Sequence, residues 1–173
     1  MLKVMLIHND LLTLRNRINE NANCPMRYGP DDLWTRVFPL SAPLALVKFS
    51  PEEFSPLLAA GELELINELV HLELKHADMC TSFDRFGILR EEIRKSSIGK
   101  TEVNGSVVTT YLTPEQHYAL EPLVLQARTL INDIHSNLPE HIEFTDRVGQ
   151  RIAPAAKWYF RDSKFPTLKV SVN

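Results

Sequence analysis

The thirty-five residues from Glu62 to Ser96 contain no proline, and apolar residues recur through them at helical spacing. At about 1.5 Å of rise per residue, a helix over this span is roughly 50 Å long, against about 30 Å for the width of a small domain. It is the longest helical pattern in the chain. Gly87 is its one weak point, the expected place for a bend or break.

A wheel at about 100° per residue sets Leu65, Leu69, Leu72, Met79 and Phe83 on one arc, continued by Ile66, Val70 and Ala77. This arc is the expected buried face. The same helix holds two successive Glu-x-x-His pairs, Glu68/His71 and Glu73/His76, followed by Cys80. The five-residue offset rotates the second pair by roughly 140° relative to the first. His76, Glu73 and Cys80 fall within the buried arc, whereas Glu68 and His71 point elsewhere.

Other elements are marked by their ends. Ser50-Pro51-Glu52-Glu53 and Thr113-Pro114-Glu115-Gln116 each combine an N-cap hydroxyl, a proline at the first helical position and a Glu or Gln three residues after the cap. The first predicts a short helix ending near Gly61. The second predicts a long helix to about Asn137, before Pro139, with an apolar stripe of Leu120, Val124, Ala127, Ile131 and Ile134 and a kink or shifted first turns at Pro122. Between the two long helices, TEVNGSVVTT (Thr101 to Thr110) reads as a β-hairpin, because Asn104-Gly105 suits a turn that needs positive φ at both central residues.

The flanking segments are less regular. Met1 to Ile7 reads as a strand or a lead-in turn, and Asn9 or Asp10 as the cap of a short helix to about Asn21 with Leu11, Leu14 and Ile18 on one stripe. Asn23 to Pro43, with prolines at 25, 30, 39 and 43, is expected to be irregular, with at most a turn or two of helix around Asp31 to Val37. Beyond Pro139, Ile142 to Val148 and Thr167 to Val172 alternate like strands, and Ile152 to Phe160 fits either a helical turn or extended chain. The expected fold is α+β, mainly α: an antiparallel helical hairpin or bundle with an inserted β-hairpin at 101–110 and an extended C-terminal arm. Residues 1–160 would form a single helical domain and 161–173 the arm.

Composition narrows the function. With 44% hydrophobic residues among 173, the chain can build a core of ordinary size. Its 19 basic and 22 acidic residues give a formal charge of -3 and form no long run of one sign, which argues against direct nucleic-acid binding. No apolar run approaches the roughly 20 residues that cross a bilayer, and Met1 to Ile7 is too short for a secretory leader. Cys24 and Cys80, far apart in sequence, are expected to be free thiols in a cytoplasmic setting, or in a large particle assembled inside a cell.

Catalytic signatures are incomplete. A di-iron centre needs a Glu-x-x-His on each of two helices, and the second long helix has none. A mononuclear metal site built from Glu73, His76 and Cys80, with His117 or Glu121 from the other helix, is possible in spacing but lacks a recognisable ligand set. A hydrogen-bonded buried histidine beside a small apolar cysteine is the simpler expectation. Gly99-Lys100-Thr101 copies only the end of a phosphate-binding loop, and there is no Gly-x-Ser-x-Gly elbow. Cys24, beside Arg27, lies in no known nucleophile signature. No cofactor is implied.

The positive features are those of protein contact. Tyr28, Trp34 and Phe38 lie where little regular structure is expected to bury them, as interface anchors do. Asn104 and Gly105 would project at a hairpin tip, and Trp158 and Tyr159 mix aromatic surface with nearby positive charge. Phe165, Leu168 and Val170 belong to KFPTLKVSVN, a tail able to add a strand to a neighbour's sheet. The expectation is a non-enzymatic structural or assembly protein that joins other protein subunits in an oligomer. In shape alone it would suit a ring-forming adaptor or connector, for instance in a virus particle. The alternatives are a metal-dependent enzyme with ligands on the long helices, or a regulatory inhibitor that binds a partner protein.

Overall fold

The computed structural model describes residues 1–22, 33–104 and 107–160. It is mostly helical: α1 (Leu2–Ala22), α2 (Leu33–Arg36), α3 (Pro51–Ala59), α4 (Leu63–Ser96) and α5 (Pro114–Phe160), with two short strands, β1 (Lys100–Asn104) and β2 (Val107–Tyr111), between the last two helices. The strands pair antiparallel, with Lys100 opposite Tyr111 and Asn104 opposite Val107. Residues 105 and 106 and the tail 161–173 lie outside the described residues, so the turn conformation and the extended arm do too. Among the described residues, those in 1–16, 44–80 and from 136 onward belong to one compact unit, and those in 17–43 and 81–135 to another.

The capping signals correspond to helix starts. At α3 the Ser50 N–H donates to Glu53 Oε2 at 2.7 Å. At α5 the Thr113 N–H donates to Gln116 Oε1 at 2.9 Å and the Gln116 N–H to Thr113 Oγ1 at 3.2 Å, so two donors at the helix start are paired reciprocally. Gly61, just past α3, has φ +76°, a backbone state that glycine reaches without a Cβ penalty.

Three sequence expectations need correction. Met1 to Ile7 is neither strand nor turn, because α1 begins at Leu2. Val4, Ile7, Leu11, Leu14 and Ile18 alternate at three- and four-residue spacing and are all at most 1% exposed, so the first seven residues simply extend the stripe. Second, α5 does not stop before Pro139, and Ile142 to Val148 is helix, not strand. Pro122, Pro139 and Pro154 are all exposed, as are Tyr118, His135 and Gln150 four residues before them, so the carbonyls that lose a partner lie on the solvent side. An interior proline costs about 3 kcal/mol. Burying Ile142, Val148 and Ile152 returns about 1.5–3 kcal/mol each, so continuation of the helix wins.

Third, of the bend or break expected at Gly87, the break does not occur, since α4 runs unbroken from Leu63 to Ser96. A Cβ there would stand 3.2 Å from Pro39 Cβ, so the glycine admits the proline against the helix. Gly99 has a stricter role before β1, since a Cβ would come within 2.3 Å of the Tyr111 carbonyl oxygen.

In the first unit, α4 buries Leu65, Leu69, Leu72, His76 and Met79, while α5 buries Leu138, Ile142, Thr145, Val148, Ile152 and Ala155. In the second unit α4 continues with Phe83, Phe86 and Ile93, and α5 contributes Leu120, Ala127, Ile131 and Ile134. Steps of three and four dominate both series, the spacing of heptad seams. Val70 belongs to no seam and is 42% exposed, since one residue after Leu69 the helix has turned by about 100°.

Candidate functional site

The residues singled out around His76 form a polar node inside the first unit. His76 is a heptad-seam residue of α4, and its side chain is fully buried. Its Nε2 lies 3.0 Å from Asp10 Oδ2 and 3.4 Å from Cys80 Sγ. Asp10 comes from α1, where it flanks the seam residue Leu11, a heptad position from which charged side chains reach a neighbouring helix. Cys80 is a buried thiol in no disulfide, 2% exposed, one helical turn after His76. Glu73 does not face this node. Its Oε2 accepts the Phe49 N–H at 2.6 Å, which anchors the extended chain before α3 to the side of α4.

Charged contacts join the helices around the node. His8 Nε2 in α1 is 2.9 Å from Asp146 Oδ1 in α5. Arg151 of α5 is 2.6 Å from Glu68 Oε2 and 3.7 Å from Glu64 Oε2, while Lys75 is 2.9 Å from Glu140. Later positions in α4 thus meet earlier ones in α5, and within this unit the two segments run in opposite directions. Phe144 lies under three polar neighbours: its ring centroid is 5.6 Å from that of His71, 5.5 Å from Lys75 Nζ and 5.1 Å from the Arg147 guanidinium carbon. Burial, reinforced by Lys75, lowers the pKa of nearby His141.

The other metal candidates, His117 and Glu121, belong to the second unit. Both are exposed and line a cleft of about 450 Å³ together with Trp34, Ile93, Leu120 and Arg128. Trp34 stands in α2, within the short helical turn expected around Asp31 to Val37; it is half-buried, and its indole Nε1 is buried with no hydrogen-bond acceptor among the described residues. Phe38 follows α2 and is 54% exposed. The Arg90 guanidinium carbon sits 4.5 Å from the centre of the Phe38 ring, and Arg90 Nη1 donates to the Val37 carbonyl. Burial lowers the Arg90 pKa from its ordinary value.

Among the described residues, no group of three or more His, Cys, Asp or Glu side chains is placed to hold a metal ion. Tyr28, Gly105, Phe165, Leu168 and Val170, like Cys24, fall outside the described residues. Asn104 closes β1, and Trp158 and Tyr159 lie in the last turns of α5. Sequence reasoning missed Asp10, Phe49, Arg90 and Arg151. A heptad count over Val4 to Ile18 is the signal that would have placed Asp10 and His8 on the two flanks of a seam. Nothing in the local sequence announces the acceptor for the Phe49 N–H.

The described residues hold no helix long and apolar enough to cross a membrane. Besides its seam, α4 carries a second apolar line. Leu63 is 61% exposed, Val70 42% and Leu74 63%, all on one face, and farther along the helix Ile88 is 61% exposed. The chain matches no protein-family model, no curated protein and no solved structure in the comparisons made.

Proposed function

We propose that this is a non-enzymatic structural or assembly protein, which joins other protein subunits through the outer face of α4. One observation carries the proposal: Leu63, Val70 and Leu74 stay exposed at heptad-compatible spacing on a helix whose opposite face already packs into its own unit. A helix that is apolar on more than one face has more than one packing partner. Contiguous exposed apolar surface marks an interaction site more often than scattered single residues do.

A ring-forming adaptor or connector of a larger particle is the specific form we favour, with the strands β1 and β2, Trp34, Phe38 and the tail as further contact points. The competing metal-dependent enzyme has less support, because Glu73 is occupied by the Phe49 N–H and His76 by Asp10 and Cys80.

Native mass spectrometry tests the proposal. A defined homo- or hetero-oligomer is expected, and Leu74→Glu should weaken it by at least about tenfold, since charge at the core of an apolar contact costs more than the roughly 1.4 kcal/mol that tenfold represents. At 63% exposure the substitution should leave helix content by circular dichroism unchanged. A chain that stays monomeric with every partner and condition tried, or an oligomer indifferent to Leu74→Glu, would sink the idea.

A further inference from the structure

A cavity of about 320 Å³ opens in the first unit where α3 meets α4 and α5. Its walls are Leu57 from α3, Leu69 from α4, Ile152 and Ala155 from α5, and the rings of Phe49 and Phe54. The four aliphatic wall residues are each at most 8% exposed, and the two rings stand 6.0 Å apart at a tilt of 37°. Protein interiors pack with few voids larger than a water molecule, and apolar side chains facing empty space lose their dispersion contacts. The walls cannot close by collapse alone, because each sits on a separately anchored element. The Ser50 cap and the Phe49 N–H bond to Glu73 fix the approach to α3, while Leu69 and Ile152 are seam residues of α4 and α5.

The polar groups at this cavity define what it takes. Lys3 Nζ is 2.5 Å from Glu53 Oε2 and donates to the Lys48 carbonyl at 2.7 Å. Glu53 also accepts the Ser50 N–H. Lys3 and Glu53 therefore neutralise each other, Met1 brings a second amine whose pKa burial lowers from its ordinary value, and the other lining residues are apolar. At about 320 Å³ the space is roughly twice the ~150 Å³ apolar cavity that accepts benzene, and it reaches the lower end of small-molecule sites at about 300 Å³.

We infer that the cavity between α3, α4 and α5 binds one small apolar molecule, of the size of a bicyclic aromatic or a medium-length hydrocarbon chain. The site uses different residues from the outer face of α4, so it stands apart from the assembly proposal.

The test is a fluorescence titration of the full chain with N-phenyl-1-naphthylamine, a neutral apolar dye whose emission rises out of water. Saturable binding of one dye per chain is expected. Ala155→Phe, which fills the cavity from the α5 side, should weaken binding by at least about tenfold. Leu57→Phe fills it from α3 and decides the matter if Ala155→Phe does not fold. Absence of saturable binding overturns the inference, as does equal binding by the folded variants. Dye release as the chain concentration is raised would assign the cavity to a second copy of the protein, and would also overturn it.

Discussion

Glu68/His71 and Glu73/His76 are the same motif five residues apart in one helix, and their surroundings differ completely. Glu68 pairs with Arg151, and His71 lies exposed against the Phe144 ring. Glu73 holds the Phe49 N–H, and His76 is sealed in a helix seam with Asp10 and Cys80. Motif spacing does not separate the pairs. A rotation of roughly 140° does, since it leaves His71 at the exposed edge of α4 and turns His76 into its packed side.

The sharpest way to break that contrast is to truncate both histidines. His76→Ala should cost about 2–4 kcal/mol in urea denaturation, since it leaves a void and strips a partly buried carboxylate of its partner. His71→Ala should cost less than about 1 kcal/mol, as exposed positions usually do. Equal losses would mean that the node is no more structural than the surface pair. The two glutamates give a smaller difference. Glu73→Ala leaves the Phe49 N–H without its charged acceptor and should cost about 1–2 kcal/mol, while Glu68→Ala removes a partly exposed ion pair and should cost about 0–1 kcal/mol.

The smallest effect is a pH dependence near the outward pair. Burial lowers the folded-state pKa of His141 below its ordinary 6.5. The unfolded chain then takes up a proton more readily than the folded one, so stability rises with pH through this range. Relative to His141→Gln, the wild-type protein should lose stability as pH falls below 6.5 and match it above. Thermal melts of the two proteins across that range should diverge only on the acid side.

Legibility followed how locally each decision was made. The starts of α3 and α5 could be read from Ser50 and Thr113, because a cap and the residue three after it satisfy each other within one turn. The burial of Leu65, Leu69, Leu72, Met79 and Phe83 followed from helical angle alone. The passage of α5 through Pro139 could not be read, because it turns on whether Ile142, Val148 and Ile152 find a core, and that core is built by other parts of the chain. Gly87 shows the same limit. As a local signal glycine weakens a helix, yet here it lets Pro39 approach.

His76 and Arg90 carry the comparison between the two units. They stand two heptads apart on the same face of α4, both polar where apolar residues are expected. His76 meets a carboxylate from α1, whereas Arg90 meets a backbone carbonyl and the exposed ring of Phe38. A polar residue at a seam favours the one alignment in which its partner is present. Each unit thus carries its own constraint on how its segments pair.

By itself the sequence determined a mostly helical chain, the span of α4, the starts of two other helices and the inward face that His76 shares. Those properties depend on angle and on contacts within a turn. The tertiary structure alone decided that His76 pairs with Asp10, that Glu73 serves a backbone amide, that α5 continues past its prolines, and that Val70 and Leu74 remain uncovered. Each of these depends on which distant side chain, backbone group or solvent lies opposite, and residue spacing along one element carries no record of that.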